Sequence, residues 1–143
     1  MDPKPFVLDT SALFSLLEEE AGADRVERIL RKEKVYLPWV TLLEVHYISQ
    51  QERGEDIANF RLALLKKLSA EIVWQHDEPA LLLASGFKAQ HRLSLADALI
   101  AGIARRLNAV LVHKDPELEA LNGAVDLEAL PYKGSKAAIE PPR

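Results

Sequence analysis

A chain of 143 residues, with 48% hydrophobic and 28% charged side chains, has the size and make-up of a single globular domain able to bury about two thirds of its unfolded surface. It has no cysteine, which excludes disulfides and thiolate metal sites, and its formal charge of −4 is not that of a generic nucleic-acid coat protein. The apolar start Phe6–Leu17 is interrupted by Asp9, and no uncharged apolar run approaches a membrane span, so neither a signal peptide nor a membrane anchor is expected and the cytoplasm is the expected compartment.

Phe6-Val7-Leu8 reads as a short apolar strand that ends on Asp9. Thr10 and Ser11 open a helix whose Leu13, Leu16 and Leu17 share a face, running to Glu18-Glu19-Glu20. Open α/β sheets place ligands at the carboxyl ends of their strands, and Asp9 stands at such an end. Capping of the following helix is the local alternative for the same residue. Gly22-Ala23 begins a second helix, with Val26, Ile29 and Leu30 inward and Arg25, Arg28, Arg31 and Lys32 outward. Val35-Tyr36-Leu37 is the second strand, ended by Pro38. Thr41 and Glu44 have capping-box spacing, T-x-x-E, at the start of a helix that runs to about Arg53. After Gly54 comes another amphipathic helix, with Ile57, Phe60, Leu64 and Leu68 on one face.

Glu71–Trp74 is the third strand, and Asp77-Glu78-Pro79 opens a helix with Leu82, Leu83 and Phe87 inward. Ser94 and Asp97 repeat the capping-box spacing as S-x-x-D, and Leu95, Leu99, Ile103 and Leu107 form the apolar stripe of the helix they open. Ala98, Ala101 and Gly102 give that helix a small-residue side, suited to close approach of another backbone. Asn108 supplies its stop, since Asn enters the left-handed region more easily than most residues. Ala109–Val112 is a short buried strand, Pro116–Leu121 a short helix capped by Asp115, and Ala124–Leu127 a final edge strand. From Pro131 onward no periodicity survives, so residues 1–130 form one domain and 131–143 a mobile tail. Strands alternating with helices predict an α/β fold: a mostly parallel sheet of about five strands, flanked by helices on both faces.

Four carboxylates stand out by position: Asp9 and Asp115 after strands, Glu44 and Asp97 in the first turns of helices. Capping accounts for each taken singly; the set asks for more. Two carboxylates at 4 Å repel by about 1 kcal/mol in water and about 4 kcal/mol at an effective dielectric of 20. A divalent cation relieves that repulsion, and oxygen ligands without cysteine point to Mg²⁺ or Mn²⁺ rather than zinc. Such ions activate water and stabilise the leaving oxygen of a phosphodiester. A haloacid-dehalogenase-like phosphatase needs a second Asp where Ser11 stands, and a receiver-type phospho-acceptor needs an acidic pair for which Asp2 comes too early. His46, His76 and His91 have no mutual spacing that makes a metal site, and read as structural or surface residues.

The motifs D-T-S at 9–11, T-L-L-E-V at 41–45, S-L-A-D-A-L-I-A at 94–101 and V-H-K-D-P-E at 112–117 resemble those of PIN-domain nucleases. In size, order and spacing the chain is similar to the toxin half of VapBC-type toxin–antitoxin pairs; the resemblance covers residues 5–130, and its third motif is the most specific. It implies a Mg²⁺- or Mn²⁺-dependent ribonuclease with Asp9, Glu44 and Asp97 as core metal ligands and Asp115 as a fourth acid. It further implies that Ser11 orients a ligand or water from behind, that an antitoxin is the partner, and that the protein is a homodimer. One departure concerns His113, where the family usually has Thr or Ser two residues before the fourth acid. An imidazole is bulkier, can become cationic at about pH 6–7, and leaves Glu117 or Glu119 as substitutes for Asp115. Lys88, Arg92, Arg105 and Lys114 are candidate contacts to the RNA backbone. The alternative is a catalytically silent PIN-like module that binds RNA or a protein.

Overall fold

Phe6–Leu8 forms strand β1, and Asp9 ends it by turning its carboxylate onto the Ala12 amide to cap helix α1 (Thr10–Leu17). The computed structural model describes residues 3–133. Helix α2 (Ala23–Lys32) and strand β2 (Val35–Pro38) follow, then the helical pair α3 (Trp39–Arg53) and α4 (Glu55–Lys67). Strand β3 (Glu71–Val73), helices α5 (Glu78–Gln90) and α6 (Leu95–Arg106), strand β4 (Val110–His113), a 3-10 turn over Pro116–Leu121 and strand β5 (Asp126–Ala129) complete the order. All strand pairs are parallel, in the order β3-β2-β1-β4-β5, so β1 lies at the centre. A parallel sheet needs crossovers, and the helices supply them.

The strand pleat divides the core. Val7 and Leu111 face one side, where Ala80, Phe87, Ile100 and Ile103 of α5 and α6 cover them. Leu8, Leu37 and Val112 face the other, against Leu13, Ile29 and Val45 of α1, α2 and α3. The α/β class and both helical layers are those the spacing predicts, and the sheet is parallel throughout.

Several local expectations are corrected. The third strand stops at Val73 and leaves Trp74 exposed, while the last strand runs from Asp126 to Ala129 because β5 matches β4 residue for residue. No capping box forms at Thr41: α3 starts earlier, at Trp39, and the buried Thr41 hydroxyl donates to the Pro38 carbonyl at 2.7 Å. On α4, Phe60 and Leu64 point to solvent, whereas Ala58, Arg61 and Leu65 are buried. Arg61 is drawn inward by polar partners, donating to Ser49 at 2.9 Å and approaching Glu18 at 3.4 Å. Leu82 and Leu95 are likewise exposed. The α5–α6 contact is made instead through the small residues Ala80, Ala84 and Gly102, whose Cβ-deep fit leaves no room for leucines. Asn108 stops α6 as expected, at a φ of 52°.

The predicted tail is anchored at its start. Tyr132 donates to Glu119 at 2.6 Å and Lys133 pairs with Glu20 at 2.9 Å; the remainder, 134–143, lies outside the described residues. No helix among the described residues is long and apolar enough to cross a membrane.

A Cβ on Gly102 would meet the Ala80 carbonyl oxygen and the Ala84 Cβ, each at 2.9 Å. Gly102→Ala must therefore push α5 from α6, despite the better helix propensity of Ala, and is expected to lose about 1–3 kcal/mol of stability in denaturant titration.

Candidate active site

The chain crosses from β1 to β2 through α1 and α2 on one face, and from β3 to β4 through α5 and α6 on the other. The direction of winding thus changes between β1 and β4, and a crevice opens beyond their carboxyl ends, the usual ligand position in open parallel sheets. Asp9 follows β1 there, Asp115 follows β4, and Asp97 sits in the first turn of α6, behind its N-cap Ser94. Glu44 reaches the same region from α3: its carboxylate accepts a hydrogen bond from the Thr10 hydroxyl at 2.6 Å.

Asp9 is 3% exposed, and burial pushes its carboxyl up to about 7. The Ala12 amide and the Ser11 hydroxyl oppose that rise, while the negative charges of Asp97 and Asp115 add to it. Asp97 is pushed up to about 6, again first by burial and then by the charges of Asp115 and Glu44. Mutual repulsion therefore links all four acids. Yet among the described residues no three His, Asp or Glu side chains are drawn close enough to hold a metal ion between them. The donor set suits a hard divalent cation by its oxygens, charge and raised carboxyls; closure around an ion requires the acids to move inward.

Ser11 stitches the crevice together. Its hydroxyl donates to the Asp9 carboxylate, 2.7 Å from Oδ1, and accepts the Lys114 amide at 2.8 Å. Asp115 caps the 3-10 turn through the Glu117 amide at 3.0 Å, and its own amide donates to His113 Nδ1 at 3.2 Å. His113 is fully buried, and burial lowers its ionisation below the ordinary range against the raising pull of Glu119 and Asp115. Its Nε2 lies 3.4 Å from Glu119, which for a neutral ring is a contact and not an ion pair.

The candidate cations separate. Lys88 is exposed in the last turn of α5, in a groove with Leu95 and Leu99 of α6, and Arg92 is exposed in the loop before Ser94, at the same end of the antiparallel α5–α6 pair as Asp97; Arg106 pairs with Asp77 at the far end. Lys114 is beside the crevice, but its ammonium donates to the Ala21 carbonyl at 2.9 Å and lies 3.5 Å from Glu20. Arg105 does not join the group. It lines a cavity of about 240 Å³ with Lys4, Asn108 and Asp126, at the amino ends of the strands. His46 bonds Asn59, and His76 bridges Trp39 to the Leu99 carbonyl, both structural roles. Sequence reasoning missed Thr10 as the partner of Glu44, although its place beside Asp9 in a first helical turn was a usable signal. It also missed Tyr132, for which no periodic signal exists.

Fold and site together define a parallel α/β protein with an acidic crevice at its switch point. The PIN domain family model matches residues 6–124, and the chain belongs to that family. Among solved structures it is similar to VapBC2 from Rickettsia felis bound to a DNA fragment from the promoter, with a TM-score of 0.73 and 15% identity over 88% of this chain and 98% of that one. DNA-bound VapBC from Salmonella typhimurium matches at 0.72 and 19% identity, over 89% and 98% of the two chains. VapC20 from Mycobacterium tuberculosis, a Sarcin-Ricin loop cleaving toxin, matches at 0.69 and 17% identity, over 88% and 99%. At these identities the likeness is one of fold. No match is found among curated proteins.

Native Asp9 holds its proton up to about pH 7, whereas the unfolded residue releases it near the ordinary 3.8. The native state thus binds more protons between these limits, and its stability declines as pH rises through them. In EDTA, Asp9→Asn is expected to melt higher than the wild type at neutral pH, with a flatter dependence of melting temperature on pH between about 4 and 7.

Proposed function

We propose that this chain is a divalent-metal-dependent ribonuclease, an endonuclease that hydrolyses RNA phosphodiester bonds as the cytoplasmic toxin of a toxin–antitoxin pair. The observation that carries this reading is the meeting of Asp9, Glu44, Asp97 and Asp115 at one crevice, with Asp9 and Asp97 held toward neutrality by burial and by their neighbours' charges. A bound cation relieves that electrostatic state. Asp9, Glu44 and Asp97 would hold Mg²⁺ or Mn²⁺, with Asp115 as the fourth acid. When bound, the ion supplies an acidified water and neutralises charge on the phosphate.

The chain's own residues do the positioning. Ser11 hydrogen-bonds the Asp9 carboxylate and Thr10 that of Glu44, which limits the directions in which each can turn toward an ion. Lys88 and Arg92, free of ion pairs among the described residues and exposed near the end of α6 that carries Asp97, take the backbone phosphates. The neighbouring cleft of about 360 Å³, which Ser11 and Lys114 line together with Glu18, Glu20 and Glu52, carries too much negative charge to take the strand. The antitoxin partner is drawn from the VapBC neighbours. Leu43 and Tyr47 on α3 with Phe60 and Leu64 on α4, all exposed, support a homodimer or antitoxin surface on this helical pair.

A second reading, the catalytically silent module, is favoured by the lack of any three side chains gathered at ion-holding distance among the described residues. Single-stranded RNA oligonucleotides incubated with Mn²⁺ or Mg²⁺ decide between them. Cleavage that stops in EDTA and in Asp97→Asn is expected; RNA binding without cleavage establishes the silent module, and cleavage surviving in EDTA removes the metal.

A further inference from the structure

The two peptide amides that follow β4 are each held by a side chain. Lys114 N–H donates to Ser11 Oγ at 2.8 Å, and Asp115 N–H donates to His113 Nδ1 at 3.2 Å. The Ser11 bond ties the segment to Asp9, because the same hydroxyl donates to the Asp9 carboxylate. The His113 bond runs the other way, into the interior. An imidazole that accepts through Nδ1 carries its proton on Nε2 when neutral. That Nε2 is fully buried and has no hydrogen-bond partner.

What stands opposite Nε2 is Glu119, its Oε2 3.4 Å away. The same Oε2 accepts the Tyr132 hydroxyl at 2.6 Å, and the Tyr132 ring lies tilted against the imidazole with centroids 6.1 Å apart. Packing alone does not call for an imidazole at the end of a buried strand, where an apolar side chain fills space without an unsatisfied N–H. The ring brings an acceptor for Asp115 on one edge, and Glu119 and Tyr132 confine it from the other.

We propose that Tyr132, Glu119 and His113 form a positioning chain for Asp115, through which the segment after β5 sets the placement of the acid in the crevice. Tyr132 fixes Glu119, Glu119 closes the Nε2 edge of the ring at 3.4 Å, and the ring so confined presents Nδ1 to the Asp115 amide. None of the three touches the substrate; each acts through the next. The functional part of this inference rests on the nuclease reading, in which Asp115 belongs to the acidic site.

The test uses the full chain and four variants: His113→Leu, His113→Asn, Tyr132→Phe and the double variant His113→Leu/Tyr132→Phe. Their kcat and KM on the RNA oligonucleotide, melting temperature and ¹⁵N–¹H spectra are compared. His113→Leu is expected to lower kcat about tenfold to a hundredfold with KM nearly unchanged, as for other groups that orient a metal ligand. His113→Asn, whose Oδ1 can accept the same amide, recovers most of that loss. Tyr132→Phe lies between, shifts the Asp115 amide resonance, and adds nothing to the double variant, because the two residues act in series. Should His113→Leu fail to fold, His113→Asn and Tyr132→Phe carry the same comparison. Additive losses in the double variant, equal losses in His113→Leu and His113→Asn, or lowered melting temperatures with unchanged kcat overturn the proposal. A wild type that cleaves no RNA, while the Asp115 amide still moves in Tyr132→Phe, sinks the nuclease reading and leaves the positioning chain standing.

Discussion

A carboxylate buried at the end of the central strand is the constraint from which the rest of this structure follows. Asp9 leaves β1 into an interior where an ionised acid is strongly disfavoured. Two donors, the Ala12 amide and the Ser11 hydroxyl, oppose the resulting shift without cancelling it. The further acids nearby deepen the problem, since Asp97 and Asp115 raise Asp9 and are themselves part of one coupled cluster. A fold that gathers negative charge where water is scarce gives up stability there. In the proposed function a divalent cation would offset that loss.

The architecture explains how acids distant in sequence reach one place. A parallel sheet wound in opposite directions from its centre opens only one crevice between β1 and β4, at the carboxyl edge. Two of the acids follow strands at that edge; Asp97 rides in the first turn of α6, after Ser94, and Glu44 in the second turn of α3, one turn beyond where T-x-x-E spacing would put it. The amino end of α6 carries partial positive charge, which lowers the penalty of placing Asp97 beside it. The two core layers hold these elements rigidly, and the close α5–α6 contact at Gly102 fixes the depth of α6 and with it that of Asp97. Hydroxyls then refine the arrangement: Ser11 joins Asp9 to the segment after β4, and Thr10 joins α1 to Glu44 on α3.

The outer surfaces carry a different message. Leu43, Tyr47, Phe60, Leu64, Trp74, Leu81, Leu82 and Leu95 are exposed, although several of them fit the helical periodicity of a buried stripe. Periodicity reports that a helix has an apolar face; it does not report what covers it. On α4 the inward positions went to Ala58 and Leu65, and to an arginine that found Ser49 and Glu18. Where α5 meets α6 they went to alanines and glycine, because small residues let two helices approach more closely than leucines allow, while Phe87, Ile100 and Ile103 face the sheet. The apolar side chains displaced outward are those available to another molecule.

The sequence by itself determined the fold class, the order of elements, the helix stop at Asn108, the small-residue side at Gly102 and the four acids worth following, because these depend on local periodicity, capping and strand-end position. Only the tertiary structure decided which cations accompany them: Arg105 went to the opposite edge, and Lys114 was taken up by Ala21 and Glu20. It also decided that Tyr132 folds back to Glu119 beside His113, and that Glu44 answers to Thr10 rather than to a capping box. Such contacts join residues far apart along the chain, and their geometry is fixed by how helices pack on the sheet, a quantity that no local pattern of residues encodes.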